Sequence, residues 1–250
     1  MMERAFIDLH CHTSASFDSL ADPVKVARAA ASRGLTHLIV TDHDRIDGAL
    51  RARDAALDGL TVIVGEEVKT ADGDLICAFL ERAIAPGLSA LATIAAAREQ
   101  GGLVGIPHPF DRFRGSLSKS AHLAAIAPLV DWVEVHNARL VGGGNEEAAV
   151  FAREHGRPGV AVSDAHSVLE IGVAYTVLEG DPSTASGLLA ALAGLAGLAG
   201  IESQGLTMEA PASSELVTGR ASYTIRLWTP IAKAVQRLRG NGRVGPGMSG

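Results

Sequence analysis

Short apolar runs in this 250-residue chain repeatedly end in an imidazole or a carboxylate, and no other feature limits its fold as strongly. Ile7-Asp8-Leu9 leads to His10 and His12, and Leu38-Ile39-Val40 to Asp42 and His43. Val62-Ile63-Val64 leads to Glu66 and Glu67, and Val104-Gly105-Ile106 to His108. Val133-Glu134-Val135 leads to His136, and Val160-Ala161-Val162 to Asp164 and His166. Such runs read as β-strands. In a parallel barrel their C-terminal ends converge on one face, where active sites sit. Imidazoles and carboxylates gathered at one mouth are what a cluster of hydrolytic metal ions requires.

One α/β barrel of this length buries a single large core. A hydrophobic content of 47% with only 4% aromatics suits a barrel wrapped in helices. Two cysteines, Cys11 and Cys77, fit a reducing compartment and offer no disulfide scaffold. Cys11 alternates with His10 and His12, so it is expected to pack on the opposite side of the strand. Met1 runs straight into a strand with no signal segment, and residues 187–200, rich in Gly and Ala, read as an outer helix rather than a membrane span. A cytoplasmic protein is expected. The net charge is −6, with six Arg or Lys and no acid in residues 216–250. An acidic body that takes an anionic substrate is coherent if bound cations invert the local field.

Strands and helices alternate to about residue 193, the pattern of a parallel sheet of seven or eight strands. Asp22-Pro23 caps a helix over 24–32 that stops at Gly34, ahead of a strand at 36–40. A helix opens at Asp47-Gly48, and strands are expected at 60–64, 74–80, 103–106, 131–135, 160–163 and 174–178. A helix over 88–100 stops at Gly101-Gly102. The barrel is assigned to residues 1–200. Residues 201–250 read as a C-terminal extension: a polar loop over 204–219, a short basic amphipathic helix over 228–239, and a disordered end. In that helix Trp228, Ile231, Val235 and Leu238 form one side, with Lys233, Arg237 and Arg239 elsewhere.

His10 and His12 stand two apart on a strand, so both imidazoles reach one metal. Asp164-Ala165-His166 repeats that spacing. Asp42, within Thr41-Asp42-His43-Asp44, is placed to orient a histidine. Of Glu66 and Glu67, strand alternation lets only one face the mouth. His108 is held between Pro107 and Pro109. Arg112, Arg114 and Arg139 lie just past the ligands, and a guanidinium there takes phosphate oxygens bidentately. No Walker pattern occurs, the alternating strand and helix region to about residue 193 holds no GxGxxG, and Ser14 and Ser16 lack a nucleophile-elbow context. His37, His122 and His155 fall away from the cluster and read as structural.

Asp8-Leu9-His10-x-His12-Thr13, Thr41-Asp42-His43-Asp44, Gly65-Glu66-Glu67, Pro107-His108-Pro109 and Ser163-Asp164-Ala165-His166 together resemble the ordered motifs of the polymerase-and-histidinol-phosphatase (PHP) superfamily, over residues 5–179. The resemblance implies a distorted (β/α)7 TIM-like barrel with a metal centre at the C-terminal ends of the strands. It implies two or three Mn, Zn or Fe ions. His10, His12, Glu67 and Asp164 would hold one metal; Glu67 and His108 would share a second, with His136 as a further ligand or a pocket-lining residue. Asp18, where some relatives have His, would join His43 and His166 at a third. Glu67 is preferred to Glu66 because the family's bridging acid follows a glycine and one intervening residue. The implied activity is hydrolysis of phosphate esters of nucleotides or short oligonucleotides by metal-activated water, with His43 or His166 assisting leaving-group protonation. A histidinol-phosphatase-like enzyme and a non-catalytic barrel that binds phosphorylated ligands stay open as alternatives.

Overall fold

The computed structural model describes residues 4–112, 116–117, 123–202, 215–221 and 228–241. In chain order the elements are β1 (Arg4–Cys11), α1 (Pro23–Ser32), β2 (His37–Val40), α2 (Asp47–Arg53), β3 (Thr61–Lys69), β4 (Asp74–Ala78), α3 (Ala90–Arg98), β5 (Leu103–Ile106), α4 (Leu123–Ile126), β6 (Trp132–Asn137), α5 (Gly144–Glu154), β7 (Gly159–Val162), β8 (Tyr175–Glu179), α6 (Ala185–Glu202), β9 (Glu215–Val217) and α7 (Trp228–Leu238). The strands form one sheet in the order β7-β6-β5-β4-β3-β2-β1-β8-β9. It curls nearly shut: Cys11 bridges Ala165 just past β7, and Ser163 N donates to Asp8 Oδ1 at 3.1 Å. The result is a distorted TIM-like barrel.

The sheet is not wholly parallel. β4 runs antiparallel to β3 and β5, and β8 antiparallel to β1 and β9. The reason for the first reversal is local. Only Thr70 to Gly73 separates β3 from β4, too short for a helical crossover, and Thr70 N donates to the Gly73 carbonyl to close the turn. β9 adds a ninth strand inside the stretch read as loop. The expected caps are present: Asp22 Oδ1 accepts from Val24 N and Lys25 N, and Gly34 ends the α1 turn at φ +81°.

Two apolar layers hold the sheet. Ile7, Leu9, Ile39, Ile63, Ile76, Leu103, Trp132, Val160 and Leu178 fill the barrel, joined by Leu188 and Leu192 of α6. Val26, Ala30, Val40, Ala52, Val68, Ile94, Val104 and Phe151 belong to the outer layer between sheet and helices. Trp132 is fully buried and occupies the space that a Cβ on Gly105 would take. No helix among the described residues is long and apolar enough to cross a membrane. Both cysteines are buried free thiols; Cys11 lies in the outer layer, on the side away from the His10 and His12 rings, as alternation predicts.

α7 spans most of the helix expected over 228–239. Trp228, Ile231 and Leu238 are exposed, while Ala232 and Gln236 are buried. The helix docks through a polar contact: Gln236 Nε2 donates to the carbonyls of Ser14, Ser16 and Ser19 at 2.7, 3.0 and 2.8 Å. The expected disordered end and most of the polar loop lie outside the described residues.

Candidate metal centre

Two β-bulges decide which side chains enter the mouth. In β1 the pairing with β2 shifts between Asp8 and Cys11. Ile7 and Leu9 therefore belong to the interior layer while Cys11 belongs to the outer one. An inserted residue swaps the faces of everything after it, so His10 and His12 turn inward above the apolar plug. In β6 the shift lies between Glu134 and His136. It leaves Glu134 and Asn137 inside and turns His136 out.

The donors converge tightly. His12, Asp18, His43 and His166 each bring one ligand atom to within 4.8 Å of the others, and His10, His12 and Glu67 do the same. Glu67 connects them. Its Oε2 lies 3.5, 3.4 and 3.1 Å from His10 Nε2, His12 Nε2 and His43 Nδ1, and its Oε1 lies 3.2 Å from His108 Nε2. Asp164 Oδ1 stands 3.6 Å from His10 Nε2 and 3.5 Å from His12 Nε2. Asp18 Oδ2 lies 3.4 Å from His43 Nε2 and 3.3 Å from His166 Nε2. His108 and Asp164 hold positive φ, +27° and +51°, a strained backbone that is retained where side-chain aim matters.

A second layer of polar groups aims these rings. His10 Nδ1 donates to Glu134 Oε1 at 2.6 Å, while Glu134 Oε2 accepts from His108 N and Asn137 Nδ2, each at 2.9 Å. His12 Nδ1 donates to Ser16 Oγ at 3.0 Å, and Ser16 Oγ donates to Asp42 Oδ1 at 2.7 Å. His166 Nδ1 donates to the Asp164 carbonyl at 2.9 Å. Each of these bonds leaves the Nε2 lone pair pointing into the cluster, the tautomer a metal needs.

The electrostatics fit a cation. Burial lowers the proton affinity of His10, but Glu134 and Asp164 outweigh it and hold the imidazole well above its ordinary pKa. His12 is held well below its ordinary value, by burial first and then by His166 and His43. Burial disfavours ionisation of Asp18 and Glu67, yet the surrounding imidazoles hold both carboxyls well below the usual range. His10 Nε2 and His12 Nε2 face each other at 2.9 Å, a contact of two lone pairs that calls for a proton or a cation between them. Asp18 Oδ1 and His108 Nδ1 are buried with no hydrogen-bond partner among the described residues. This donor set, mixed imidazole and carboxylate, fits first-row transition metals.

The structure therefore gathers His10, His12, Asp18, His43, Glu67, His108, Asp164 and His166, with His12 close to both donor groups rather than to one. It departs from the sequence reading at two points, His136 and Arg139. His136 stands apart: its Nε2 donates to the Gly219 carbonyl at 2.7 Å and its Nδ1 accepts from Asn145 Nδ2 at 3.4 Å, because the β6 bulge turns it outward. Asp42 sits where an orienting group was expected: its carboxylate accepts from Thr13 N, Thr13 Oγ1, Ser16 N and Ser16 Oγ, and through Ser16 it reaches His12. Arg139 is held by Glu170 Oε1 at 2.5 Å and Thr229 Oγ1 at 2.7 Å, so its guanidinium ties the His166 loop to α7 instead of presenting a free fork. His43 and His166 stand with Asp18 and His12 in one donor group. Arg112 is exposed; Arg114 and His122 lie outside the described residues. Glu66 points away from the mouth and accepts from Ile84 N at 2.8 Å. Sequence reasoning missed Glu134, Asn137 and Ser16 as orienting groups. A buried acid in the apolar strand Val133-Glu134-Val135 was the available signal.

Residues 8–141 match the family described as PHP domain, and residues 142–194 the one described as PHP-associated. An uncharacterized protein of Methanocaldococcus jannaschii is 31% identical over 242 residues, which cover 92% of this chain and 98% of that protein. A second from the same organism is 34% identical over 114 residues, 41% of this chain and 67% of that one. A two-domain protein of Bacteroides vulgatus, described as containing a predicted PHP-like metal-dependent phosphoesterase, superimposes with a TM-score of 0.64 at 18% identity over 76% of this chain; the match spans 63% of that protein's length. A lesion-specific endonuclease of Pyrococcus furiosus superimposes with a TM-score of 0.59 at 18% identity, covering 77% of this chain and 56% of that one. At such identities the likeness of these two structures is one of fold.

Proposed function

The chain belongs to the PHP domain family, and from that premise we propose that it is a metal-dependent phosphoesterase, hydrolysing phosphate esters of nucleotides or short oligonucleotides with two or three Mn, Zn or Fe ions. The observation that carries this reading is the position of Glu67, whose two oxygens face His10, His12 and His43 on one side and His108 on the other. A carboxylate so placed suits adjacent cations. Divalent ions held by these residues supply an acidified water and positive charge against the phosphate oxygens.

The protein's own groups do the rest. Glu134 and Ser16 hold the His10 and His12 rings so that their Nε2 atoms stay unprotonated when a cation is bound. Asp42 fixes Ser16, and Gln236 fixes the loop that carries Asp18. Hydrolysis forms a bond from the water oxygen to phosphorus and breaks the ester P–O bond. The electron pair leaves with the ester oxygen, which takes up a proton derived from the attacking water, giving an alcohol and inorganic phosphate from a monoester or an alcohol and a phosphomonoester from a diester. Both cysteines are buried and burial pushes their thiols up, so neither offers a thiolate nucleophile at the mouth. Support for a nucleotide substrate comes from the endonuclease Q complex, in which that protein holds a 27-mer duplex with an abasic lesion at the active site.

Phosphate release from nucleoside monophosphates, 3′,5′-bisphosphates, short oligonucleotides and histidinol phosphate, each with Mn, Zn and Fe, tests the proposal. Turnover of the nucleotide esters supports it. Turnover of histidinol phosphate alone would replace it with a small-molecule phosphatase, and metal-replete protein without turnover would leave a non-catalytic binding barrel.

A further inference from the structure

Beside the Asp18 and His166 donors a cavity of about 290 Å³ opens toward α7, walled by Leu20, Lys25, Val168 and Trp228. We propose, resting on the phosphoesterase reading, that this cavity receives the leaving group of the ester, a flat heteroaromatic ring of nucleoside size stacked on the Trp228 indole.

Three observations carry this. The cavity adjoins the metal centre, since Asp18 and His166 belong to both, so an ester oxygen leaving phosphorus there has this space beside it. Its walls are apolar and exposed at the mouth of the barrel: Trp228 is 60% exposed and Leu20 38%. Only 4% of the chain is aromatic, and an indole left open beside a polar cluster is a stacking platform in want of a ring. The third observation is that the wall is built. Gln236, 2% exposed, binds α7 to three carbonyls of the Asp18 loop, and Thr229 Oγ1 accepts from Arg139. The platform is therefore preformed. The exposed Lys25 ammonium at the rim complements an anionic ligand, and Asp22 on the same rim is engaged in capping α1. The volume lies at the lower end for small-molecule sites and admits one nucleoside, not a duplex.

The test compares metal-loaded wild type with Trp228→Ala and Trp228→Phe on adenosine monophosphate and on glycerol phosphate. The expected result is a KM for adenosine monophosphate raised roughly 5- to 150-fold in Trp228→Ala, the scale of one lost base–aromatic stack. Trp228→Phe recovers most of that loss, and the constants for glycerol phosphate and the metal content stay unchanged. Equal effects on both substrates, or none on either, would overturn the assignment. Tryptophan fluorescence separates this idea from the catalytic one. Saturable quenching by adenosine monophosphate that disappears in Trp228→Phe supports the pocket even if no ester is hydrolysed. Absence of quenching in the wild type refutes it even if esters are hydrolysed.

Discussion

Replacing Glu134 by Gln keeps the shape of the side chain and changes only what its two ends offer. In the wild type both carboxylate oxygens accept: Oε1 from His10 Nδ1, Oε2 from His108 N and Asn137 Nδ2. An amide cannot satisfy this pattern in either orientation. With its NH₂ toward His108 and Asn137, three donors face one another in a fully buried site. With its NH₂ toward His10, the imidazole must accept at Nδ1 and carry its proton on Nε2, which points at His12 and Glu67. Either outcome weakens the donor group of His10, His12 and Glu67. Loss of such an orienting partner lowers metal affinity by about 10- to 100-fold, equivalent to about 1.4–2.8 kcal/mol. The assay is competition between metal-free protein and a chromophoric chelator at neutral pH. The ion held through Asp18, His43 and His166 should be weakened least, because the bonds of Glu134 go to His10, His108 and Asn137. Affinity within twofold of wild type for every ion would refute the reasoning.

His10→Ala and Asp164→Ala are expected to abolish phosphate release while keeping a cooperative thermal melt; near-wild-type rates in metal-replete buffer contradict both assignments. Arg139→Ala removes the cationic partner of Glu170, 1% exposed, whose Oε2 still accepts from His166 N and Ser167 Oγ, and loss of a buried ion-pair partner costs up to about 3–5 kcal/mol of stability. A chemical denaturation curve reads this directly, and unchanged stability with a loss confined to KM would return Arg139 to the role of phosphate clamp. Burial pushes the Glu66 carboxyl up to about 8. Its folded pKa exceeds the unfolded one, so the folded state binds the extra proton, and stability falls as pH rises from about 4.5 through about 8. Glu66→Gln, which mimics the protonated acid, should raise the melting temperature at pH 8.5 far more than at pH 5; an equal shift at both would contradict the buried, protonated state.

Much of the barrel was readable because strand ends and chemistry coincide: an apolar run followed by His10, His43, His108 or Asp164 marks both an element and its working end. The helix stop at Gly34 and the cap at Asp22 were equally local. The direction of β4 was written in its short connection, where Asp72-Gly73 leaves no room for a crossover, but a strand's own residues do not announce their polarity. The fate of His136 was not readable, since one bulge in β6 swaps its face with that of Asn137 and bulges leave no reliable mark in a single sequence. The Glu134–His10 pair joins residues 124 apart, so no spacing rule reaches it. How α7 docks was not readable either: an apolar side says nothing of the buried Gln236 that ties the helix to the Asp18 loop, or of Trp228 facing the pocket.

The central claim is that these converging side chains hold catalytic metal. Elemental analysis of the purified chain, before and after chelation and reloading, tests it together with phosphate release from the same samples. The account predicts two or three transition-metal ions per chain, lost on chelation with the activity and regained with it. Protein that takes up no stoichiometric metal under any loading condition would contradict it.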